Sequence, residues 1–412
     1  MVRSTTSRRE FLEAIGGAGG VVAGTLATLE SARGFAANET LEVACLGTGG
    51  RCQALMRSLA QVPGVRIAAV CDVYDVRLAE ARKLADPRAV ATKHYRELLD
   101  RKDIDAVLIG SPDHWHVPMA VDACNAGKDV YVEKPLTHDL AEGTAIIEAQ
   151  NRNRKVVQVG MQQRSMPHIQ KARELVQSGR IGEVFKVHLS WNRGGTRRFQ
   201  RKPMGIDPGQ VAWKDFLGNA PDQPFDEFRF RNWRWFWDFG GGLLTDLMVH
   251  WIDVAHWFLD ADHPLKATTI GTYFAGKDVL QTPDTIQCTL VYPHNVQAHF
   301  EGTFSNATYG AMITFMGTDG TIYIDRGRYE ITPEHGKGKP EAWILASQPN
   351  RKGADFYDTP DGELLHLTNW VECVRSRRRP NAPAEAGVSA AAAAHLGNRA
   401  FRSGEVAVWT TG

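Results

Sequence analysis

Short apolar runs alternate with segments of helical spacing in the first part of the chain. Strand-length apolar runs occur at 41–46, 65–71, 106–110, 130–132 and 156–159. Between them, segments such as 51–62, 76–85, 117–126 and 141–150 carry apolar side chains at helical spacing. This alternation predicts βαβ units, and therefore an α/β domain with a doubly wound parallel sheet covered on both faces. We place it at residues 38–165.

The pattern changes after residue 166. Several segments there alternate apolar with polar residues, among them 184–192, 285–291, 297–304 and 311–325. Such alternation is typical of a sheet with one exposed face. One strongly apolar helix is predicted at 241–259, and two closing helices at 364–377 and 384–404. We predict a second, α+β domain over residues 166–412 with an open, largely antiparallel sheet.

The first residues have the features of an export signal. Arg8 and Arg9 precede an uncharged run from Ala14 to Leu29, and the small residues of Gly34–Ala36 follow. The run is short for a membrane span, which needs about 20 apolar residues. A signal peptide typically has a basic start, an apolar middle and a cleavage site of small residues. The paired arginines resemble the twin-arginine (Tat) class of such peptides. We therefore assign residues 1–37 to a Tat signal peptide and expect a periplasmic or otherwise exported protein without stable membrane insertion.

Composition and net charge limit the classes of ligand that the protein is expected to bind. The 412 residues carry a formal net charge of +1, so no overall field attracts nucleic acid, and we expect no nucleic-acid partner. The six cysteines form no CxxC pair, so the spacing of a zinc site is absent and mostly free thiols are expected.

A glycine-rich turn follows the first predicted strand. Gly47, Thr48, Gly49, Gly50 and Arg51 lead to Cys52, which stands where the pattern G-x-G-x-x-G has its last glycine. Such a turn between strand and helix lets backbone amides approach a pyrophosphate. Asp72 ends the second strand at the position from which a carboxylate accepts from a ribose hydroxyl and repels a 2′-phosphate. The sequence therefore predicts bound NAD, with NADP less favoured.

Three further segments carry candidate chemistry. The turn Ser111–His116 follows the third strand, at the sheet edge where ligands bind in such folds. Its Asp113 and histidines are either ligand contacts or capping and packing groups, and no matching ligand set elsewhere supports a metal, so we predict none. Lys134 is either a proton donor or acceptor near the cofactor or part of an ordinary Lys-Pro turn. Asp246, His250 and Asp253 share a helix face that is either solvated or catalytic.

Taken together, GTGGRC, CD, SPDHWH, EKP and GGG…D…H..D resemble the Gfo/Idh/MocA family, named for glucose–fructose oxidoreductase and inositol dehydrogenase. The resemblance implies a Rossmann domain, a second domain whose open sheet makes an oligomer interface, and a cis peptide before Pro135. It implies catalytic roles for Lys134, His250 and Asp246. The cofactor contacts it implies are Gly47, Thr48, Gly49, Gly50, Arg51, Asp72, Ser111, Asp113, Trp115, His116, Glu133, Lys134 and Gln162.

Substrate contacts are expected from Arg164, Asp246, His250 and, in the aromatic stretch 228–239, Trp233, which either stacks on a sugar ring or fills the core. The family's usual glycine at position 248 is Met248 here, so the helix is expected to pack differently.

These observations predict an exported, homo-oligomeric oxidoreductase. It holds NAD tightly and transfers a hydride between the nicotinamide and a secondary hydroxyl or ketone of a sugar, glycoside or polyol. Two alternatives remain: a redox-neutral NAD-dependent glycoside hydrolase, which oxidises, eliminates, adds water and re-reduces, and a non-catalytic NAD- and sugar-binding sensor. The turn HWHVPMA (114–120) resembles those glycosidases, but Lys134 and the absence of their Tyr-Pro-Thr-His segment favour the oxidoreductase.

Overall fold

The structure is a computed structural model that describes residues 40–194, 199–345, 352–353 and 361–410. The signal peptide expected at 1–37 lies outside these residues. Within the described ranges, no helix combines the length and the apolar character that crossing a bilayer requires.

Six parallel strands form the first sheet, in the order β3-β2-β1-β4-β5-β6. They are β1 (Leu41–Leu46), β2 (Val65–Cys71), β3 (Val90–Thr92), β4 (Ala106–Ile109), β5 (Asp129–Val132) and β6 (Val157–Val159). The predicted doubly wound sheet is confirmed. Strand β3 was not predicted, because this three-residue edge strand is largely exposed and has no apolar run. Strand order reverses between β1 and β4, which opens a crevice at their carboxyl ends.

Both faces of this sheet are buried. Val43 and Cys45 of β1 enter one hydrophobic cluster, whereas Ala44 and Leu46 enter the other. Successive side chains of a strand point to opposite faces, so two covered faces explain the unbroken apolar run at 41–46. The connecting helices are α1 (Gly50–Leu59), α2 (Asp75–Arg82), α3 (Tyr95–Leu99), α4 (His116–Asn125) and α5 (Glu142–Asn153).

The second sheet has nine strands in the order β14-β13-β12-β11-β7-β10-β9-β8-β15. Only its central pair is parallel, β7 (Val184–Asn192) with β10 (Gln297–Thr303). The others are β8 (Lys266–Thr272), β9 (Thr285–Val291), β11 (Ala311–Gly317), β12 (Gly320–Asp325), β13 (Arg328–Pro333), β14 (Glu341–Ile344) and β15 (Ala407–Val408). The expected largely antiparallel sheet is confirmed. Its alternating burial, seen along β9 and β10, leaves one face partly open.

Six helices lie beyond residue 166 in the described part of the chain. They are α6 (Pro167–Gln177), α7 (Trp213–Leu217), α8 (Glu227–Arg231), α9 (Val249–Leu259), α10 (Asp361–Ser376) and α11 (Ala384–Ser403). Helix α11 contacts α9 and β8, where its small alanine side chains permit close approach. Helix α10 lies within the predicted second domain (166–412), yet its Leu367 and Trp370 belong to the first sheet's core.

A π-helical turn, Leu244–Met248, precedes α9. It includes Met248, the position where a glycine was expected and a packing difference was predicted. Because a π turn holds more residues than an α turn, it changes the offset between Asp246 and the side chains of α9.

Candidate active site

A cavity of about 1140 Å³ lies at the carboxyl ends of the first sheet's strands and extends to the second domain. Most predicted site residues line it: Gly47, Gly49, Gly50, Arg51, Asp72, Ser111, Asp113, Trp115, His116, Glu133, Lys134, Gln162, Trp233, Asp246 and His250. The two predicted residues that do not line it are Thr48 and Arg164. The structure therefore brings together segments that the sequence separates by two hundred positions.

The glycine turn has the geometry of an anion cradle. Gly47 has a φ of +71°, and a Cβ there would lie 2.5 Å from the Cα of Ser111, so a side chain is excluded. A Cβ at Gly49 or Gly50 would meet open space. The amides that open α1 precede its first helical bond, from Gln53 N to Gly49 O at 3.0 Å. Such amides bind phosphate groups at helix N-termini.

Cys52 replaces the motif's last glycine, and the neighbouring strand accommodates it. A Cβ on Gly110, which follows β4, would lie 2.7 Å from the Cβ of Cys52. The close helix–strand contact that the motif glycine usually provides is therefore provided here by a glycine on the strand side.

Asp72 lies beside the turn, and Thr48 helps to hold it. The carboxylate accepts from Tyr74 N at 2.9 Å and from Thr48 Oγ1 at 3.4 Å. Burial raises the pKa of Asp72 to about 6, although these hydrogen bonds and Arg77 favour its charged form. Thr48 does not line the cavity, but its hydroxyl helps to hold the Asp72 carboxylate, which does. Asp72 is placed to accept from the hydroxyls of a ribose.

Arg51 links the helix to the sheet. Its Nε donates to Glu133 Oε1 at 2.8 Å, and its Nη1 forms an ion pair with Glu363 of α10. With the Gln162 amide oriented to match its neighbours, Arg51 Nη2 also donates to it at 2.9 Å. Sequence reasoning missed Glu363, because no motif connects α10 to the glycine turn. Arg51, Glu133 and Gln162 therefore support one another at the cavity wall.

The turn that contains Trp115 is held by backbone carbonyls. His114 Nε2 and Trp115 Nε1 approach Phe216 O at 2.8 and 2.9 Å. Both ring nitrogens of His116 contact backbone carbonyls, those of Pro135 and Ser111. Burial lowers the pKa of His114 and of His116 to about 4. In its neutral form the His116 ring donates to only one of its two carbonyl neighbours. Their hydrogen bonds favour the packing role that the sequence left open for these histidines.

Lys134 reaches across the domain boundary. Its Nζ donates to Asp246 Oδ1 at 2.8 Å and to Asp246 O at 2.6 Å. Arg234, which the sequence analysis did not single out, lies 3.3 Å from the same carboxylate. Burial alone raises the pKa of Asp246, but Lys134 and Arg234 outweigh it and hold that pKa well below its usual range. The expected cis peptide between Lys134 and Pro135 is present.

His250 lies in the same cavity, stacked against Trp191, whose ring centroid is 5.0 Å away. Burial, reinforced by the charge of Lys134, lowers the pKa of His250 well below its usual range. Its Nδ1 is enclosed, with no hydrogen-bond partner among the described residues. The ring is therefore neutral at neutral pH, and Nε2 is the nitrogen available to a ligand.

Asp113 differs from the other carboxylates of the site. It is only 4% exposed. Burial raises its pKa well above the usual range, although Arg234 and Lys134 favour the charged form. A protonated carboxyl at this wall can donate a hydrogen bond to a ligand.

The expected substrate contact from Arg164 is not supported by the structure. Its guanidinium makes a bidentate ion pair with Asp253, with Nε to Oδ2 at 2.8 Å and Nη2 to Oδ1 at 2.7 Å. Both side chains are almost completely buried, and neither lines the cavity formed by the described residues. A buried carboxylate that lacks solvent needs such a partner. Asp246 and His250 of the predicted helix face therefore line the cavity, whereas Asp253 pairs with Arg164 away from it.

Trp233 lies at the cavity wall with Arg234 stacked over its ring at 4.2 Å. Arg193 and Arg231 also line the cavity. At Trp233 the wall therefore presents an aromatic ring with a guanidinium group beside it.

The residues present fit NAD. The side-chain-free space at Gly49 and Gly50 and the helix amides suit a pyrophosphate, and Asp72 suits an adenosine ribose without a 2′-phosphate. The opposite end, at Lys134 and His250, leaves room for the nicotinamide and a second ligand.

Comparison with known proteins agrees with this geometry. The family model described as the Gfo/Idh/MocA "Oxidoreductase family, NAD-binding Rossmann fold" matches residues 41–161, and the "GFO/IDH/MocA C-terminal domain" matches 169–323. An inositol 2-dehydrogenase from Salmonella typhimurium is 27% identical over 326 residues, which are 77% of this chain and 78% of that protein. An α-N-acetylgalactosaminidase from Shewanella oneidensis is 31% identical over 192 residues, 43% of this chain and 40% of that one.

Among solved structures, a levoglucosan dehydrogenase in complex with NADH and levoglucosan superposes with a TM-score of 0.71 at 16% identity. The match covers 90% of this chain and all of that one, and it supports the fold. Because the two family models together span more than half of the sequence, the chain belongs to the Gfo/Idh/MocA family and is an NAD-dependent oxidoreductase.

Proposed function

We propose that this enzyme interconverts a secondary hydroxyl and a ketone on a sugar, glycoside or polyol. The observation that carries the proposal is the meeting of Lys134, Asp246 and His250 in one cavity with the glycine turn. Dehydrogenases of a polyol and of a sugar derivative among the relatives support this substrate class. When bound, NAD supplies the acceptor or donor of the hydride.

The residues divide the proton chemistry between them. His250 is neutral because burial and the charge of Lys134 disfavour its protonation, so Nε2 has a free lone pair. This lone pair accepts the hydroxyl proton in the oxidation direction, although the lowered pKa makes the ring a weak base. Lys134, fixed by Asp246, donates to the substrate oxygen and stabilises the charge that develops there. Asp246 is a positioning residue for Lys134. Its carboxylate also pairs with Arg234.

The charge of the substrate end favours an acidic sugar. Lys134 and Arg234 both contact the carboxylate of Asp246 in this part of the cavity, so two cations meet one carboxylate there. The excess of positive charge would attract a carboxylate on the substrate. We therefore expect a sugar acid to have a lower KM than its neutral analogue, and Arg234→Gln to reduce that preference.

Redox-neutral glycoside cleavage is the second candidate, favoured by the α-N-acetylgalactosaminidase among the relatives. Mass spectrometry of glycosides incubated with the protein alone separates the two activities. Release of an aglycone without any added acceptor would support the glycosidase, whereas an oxidised glycoside with its bond intact would support the dehydrogenase.

We further propose that the chain leaves the cytoplasm through the Tat route with NAD already bound, and that it acts as a homo-oligomer through its open sheet. The support for export is the sequence of residues 1–37, with Arg8 and Arg9 ahead of an apolar run. Tight retention of NAD follows, because no general pool of free NAD exists outside the cytoplasm. Replacing Arg8 and Arg9 with lysine should leave the protein in the cytoplasmic fraction.

The test of function is an absorbance spectrum of protein purified without added cofactor, recorded before and after candidate sugars and polyols are added. A bound nucleotide whose reduced-nicotinamide band rises with one substrate supports the proposal. Lys134→Met is the matched control and should retain the nucleotide without the rise. No rise with any of a broad panel of neutral and acidic sugars, in protein that holds NAD, would support a non-catalytic sensor instead.

A further inference from the structure

Three potential metal ligands meet on the second sheet, away from the active-site cavity. His188 of β7 pairs in register with His299 of the parallel neighbour β10. Glu301 lies two residues beyond His299 and therefore projects from the same face. One potential ligand atom of each residue lies within 4.8 Å of the other two, and His188 Nε2 is 3.9 Å from Glu301 Oε1.

This face is separate from the reaction chemistry. Trp191, which stacks on His250, is three positions from His188 on β7, so the two side chains point to opposite faces of the sheet. His188, His299 and Glu301 do not line the cavity described above. NAD and substrate therefore do not account for the grouping.

Neighbouring polar side chains contact two of the three groups. Thr289 Oγ1 lies 3.4 Å from His299 Nδ1, and Asn192 Nδ2 donates to Glu301 Oε1 at 3.3 Å. Contacts of this kind fix the ring and carboxylate orientation in metal sites.

We propose that His188, His299 and Glu301 bind one divalent transition-metal ion of the class that prefers imidazole and carboxylate, with Zn²⁺ as the representative. Two histidines and one carboxylate are a known zinc ligand set, completed by a water molecule at the fourth position. In a tetrahedral site the donors lie roughly 3.3 Å apart, so modest side-chain rotations would complete the present arrangement. The ion would join β7 to β10, the two parallel strands at the centre of the sheet.

The sequence analysis predicted no metal, because the ligands lie on two strands far apart in the chain and form no short motif. The parallel pairing of β7 and β10 alone brings them together.

The experiment uses the full-length protein, stripped with EDTA, dialysed, and titrated with ZnCl₂ in a calorimeter. We expect one more zinc ion per wild-type chain than per chain of His299→Gln or Glu301→Gln, and a higher unfolding temperature with zinc only in the wild type. Co²⁺ should give the visible absorption of a tetrahedral site in the wild type alone. His335→Gln, at a fully exposed histidine, is the matched control and should bind like the wild type.

Near-UV circular dichroism and NAD binding verify that each variant is folded. Equal zinc stoichiometry and affinity in the wild type and in both ligand variants would overturn the proposal. So would a wild-type protein that binds no zinc at micromolar concentrations.

Discussion

Lys134 Nζ lies 2.8 Å from Asp246 Oδ1, and this ion pair joins the two domains at the active-site cavity. Lys134 follows the fifth strand of the first sheet, whereas Asp246 lies in the π turn before α9. The two side chains are mostly buried, so solvent screens their attraction only weakly. This contact therefore fixes the position of the reacting amine relative to the carboxylate of the second domain.

Lys134→Met removes this donor without removing the glycine turn. We expect kcat to fall by about 10²–10⁴-fold, the usual contribution of a positioned proton donor or acceptor. The dissociation constant for NAD should change little, because Asp72 and the α1 amides remain. Steady-state kinetics and calorimetry with NAD measure the two quantities. A parallel loss of NAD binding would show that Lys134 acts on cofactor binding instead.

The depressed pKa of His250 has a consequence for the pH profile. Because burial and Lys134 keep the ring neutral, its base form is already present at pH 6. We therefore expect kcat for oxidation, measured with both ligands saturating, to show no inflection near about 6.5, the ordinary histidine value. An inflection there that disappears in His250→Gln would show that the ring titrates normally.

Asp72 should make NAD binding dependent on pH. Its pKa of about 6 means that the carboxyl becomes protonated as the pH falls, and a protonated carboxyl has a weaker acceptor for ribose hydroxyls. For one group that must be ionised, affinity at pH 5 should be about tenfold lower than at pH 7.5. Asp72→Asn should abolish this dependence and reduce the preference for NAD over NADP. Identical pH profiles in the two proteins would contradict the assignment.

The buried ion pair of Arg164 with Asp253 can be tested against the substrate contact that the sequence predicted for Arg164. Breaking a buried ion pair by removing one partner costs about 3–5 kcal/mol, so Arg164→Met and Asp253→Asn should each lower the free energy of unfolding by about that amount. The double variant Arg164→Met/Asp253→Leu should recover part of the loss, because no uncompensated charge remains. Urea unfolding measures this. If Arg164→Met instead kept full stability and raised only the substrate KM, the substrate role first expected would be correct.

Substitutions at Gly110 and Cys52 should have coupled effects on the free energy of unfolding. A Cβ at Gly110 would lie 2.7 Å from Cys52 Cβ and 3.2 Å from its Cα, so Gly110→Ala should destabilise the protein by about 1–3 kcal/mol through overpacking. Adding Cys52→Gly, which restores the usual glycine of the turn, should remove most of this penalty. Thermal unfolding of both single variants and the double variant gives the coupling. Additive effects would mean that the two positions do not compete for space.

The sequence determined the fold of both domains, because continuous apolar runs and alternating runs report directly whether one or two faces of a strand are buried. It also identified most of the cavity wall, since the glycine turn, Asp72 and Lys134 follow parallel strands whose carboxyl ends share one edge. These signals are local in the chain, so they can be read without coordinates.

The tertiary structure decided which charged groups pair. Arg164 and Asp253 form a buried ion pair away from the cavity lining, Arg234 joins Lys134 at Asp246, and Glu363 reaches Arg51 from a distant helix. Likewise, His188 and His299 meet only because β7 and β10 are parallel neighbours. Charge pairing depends on distances of a few ångströms between segments remote in sequence, and no local pattern encodes those distances.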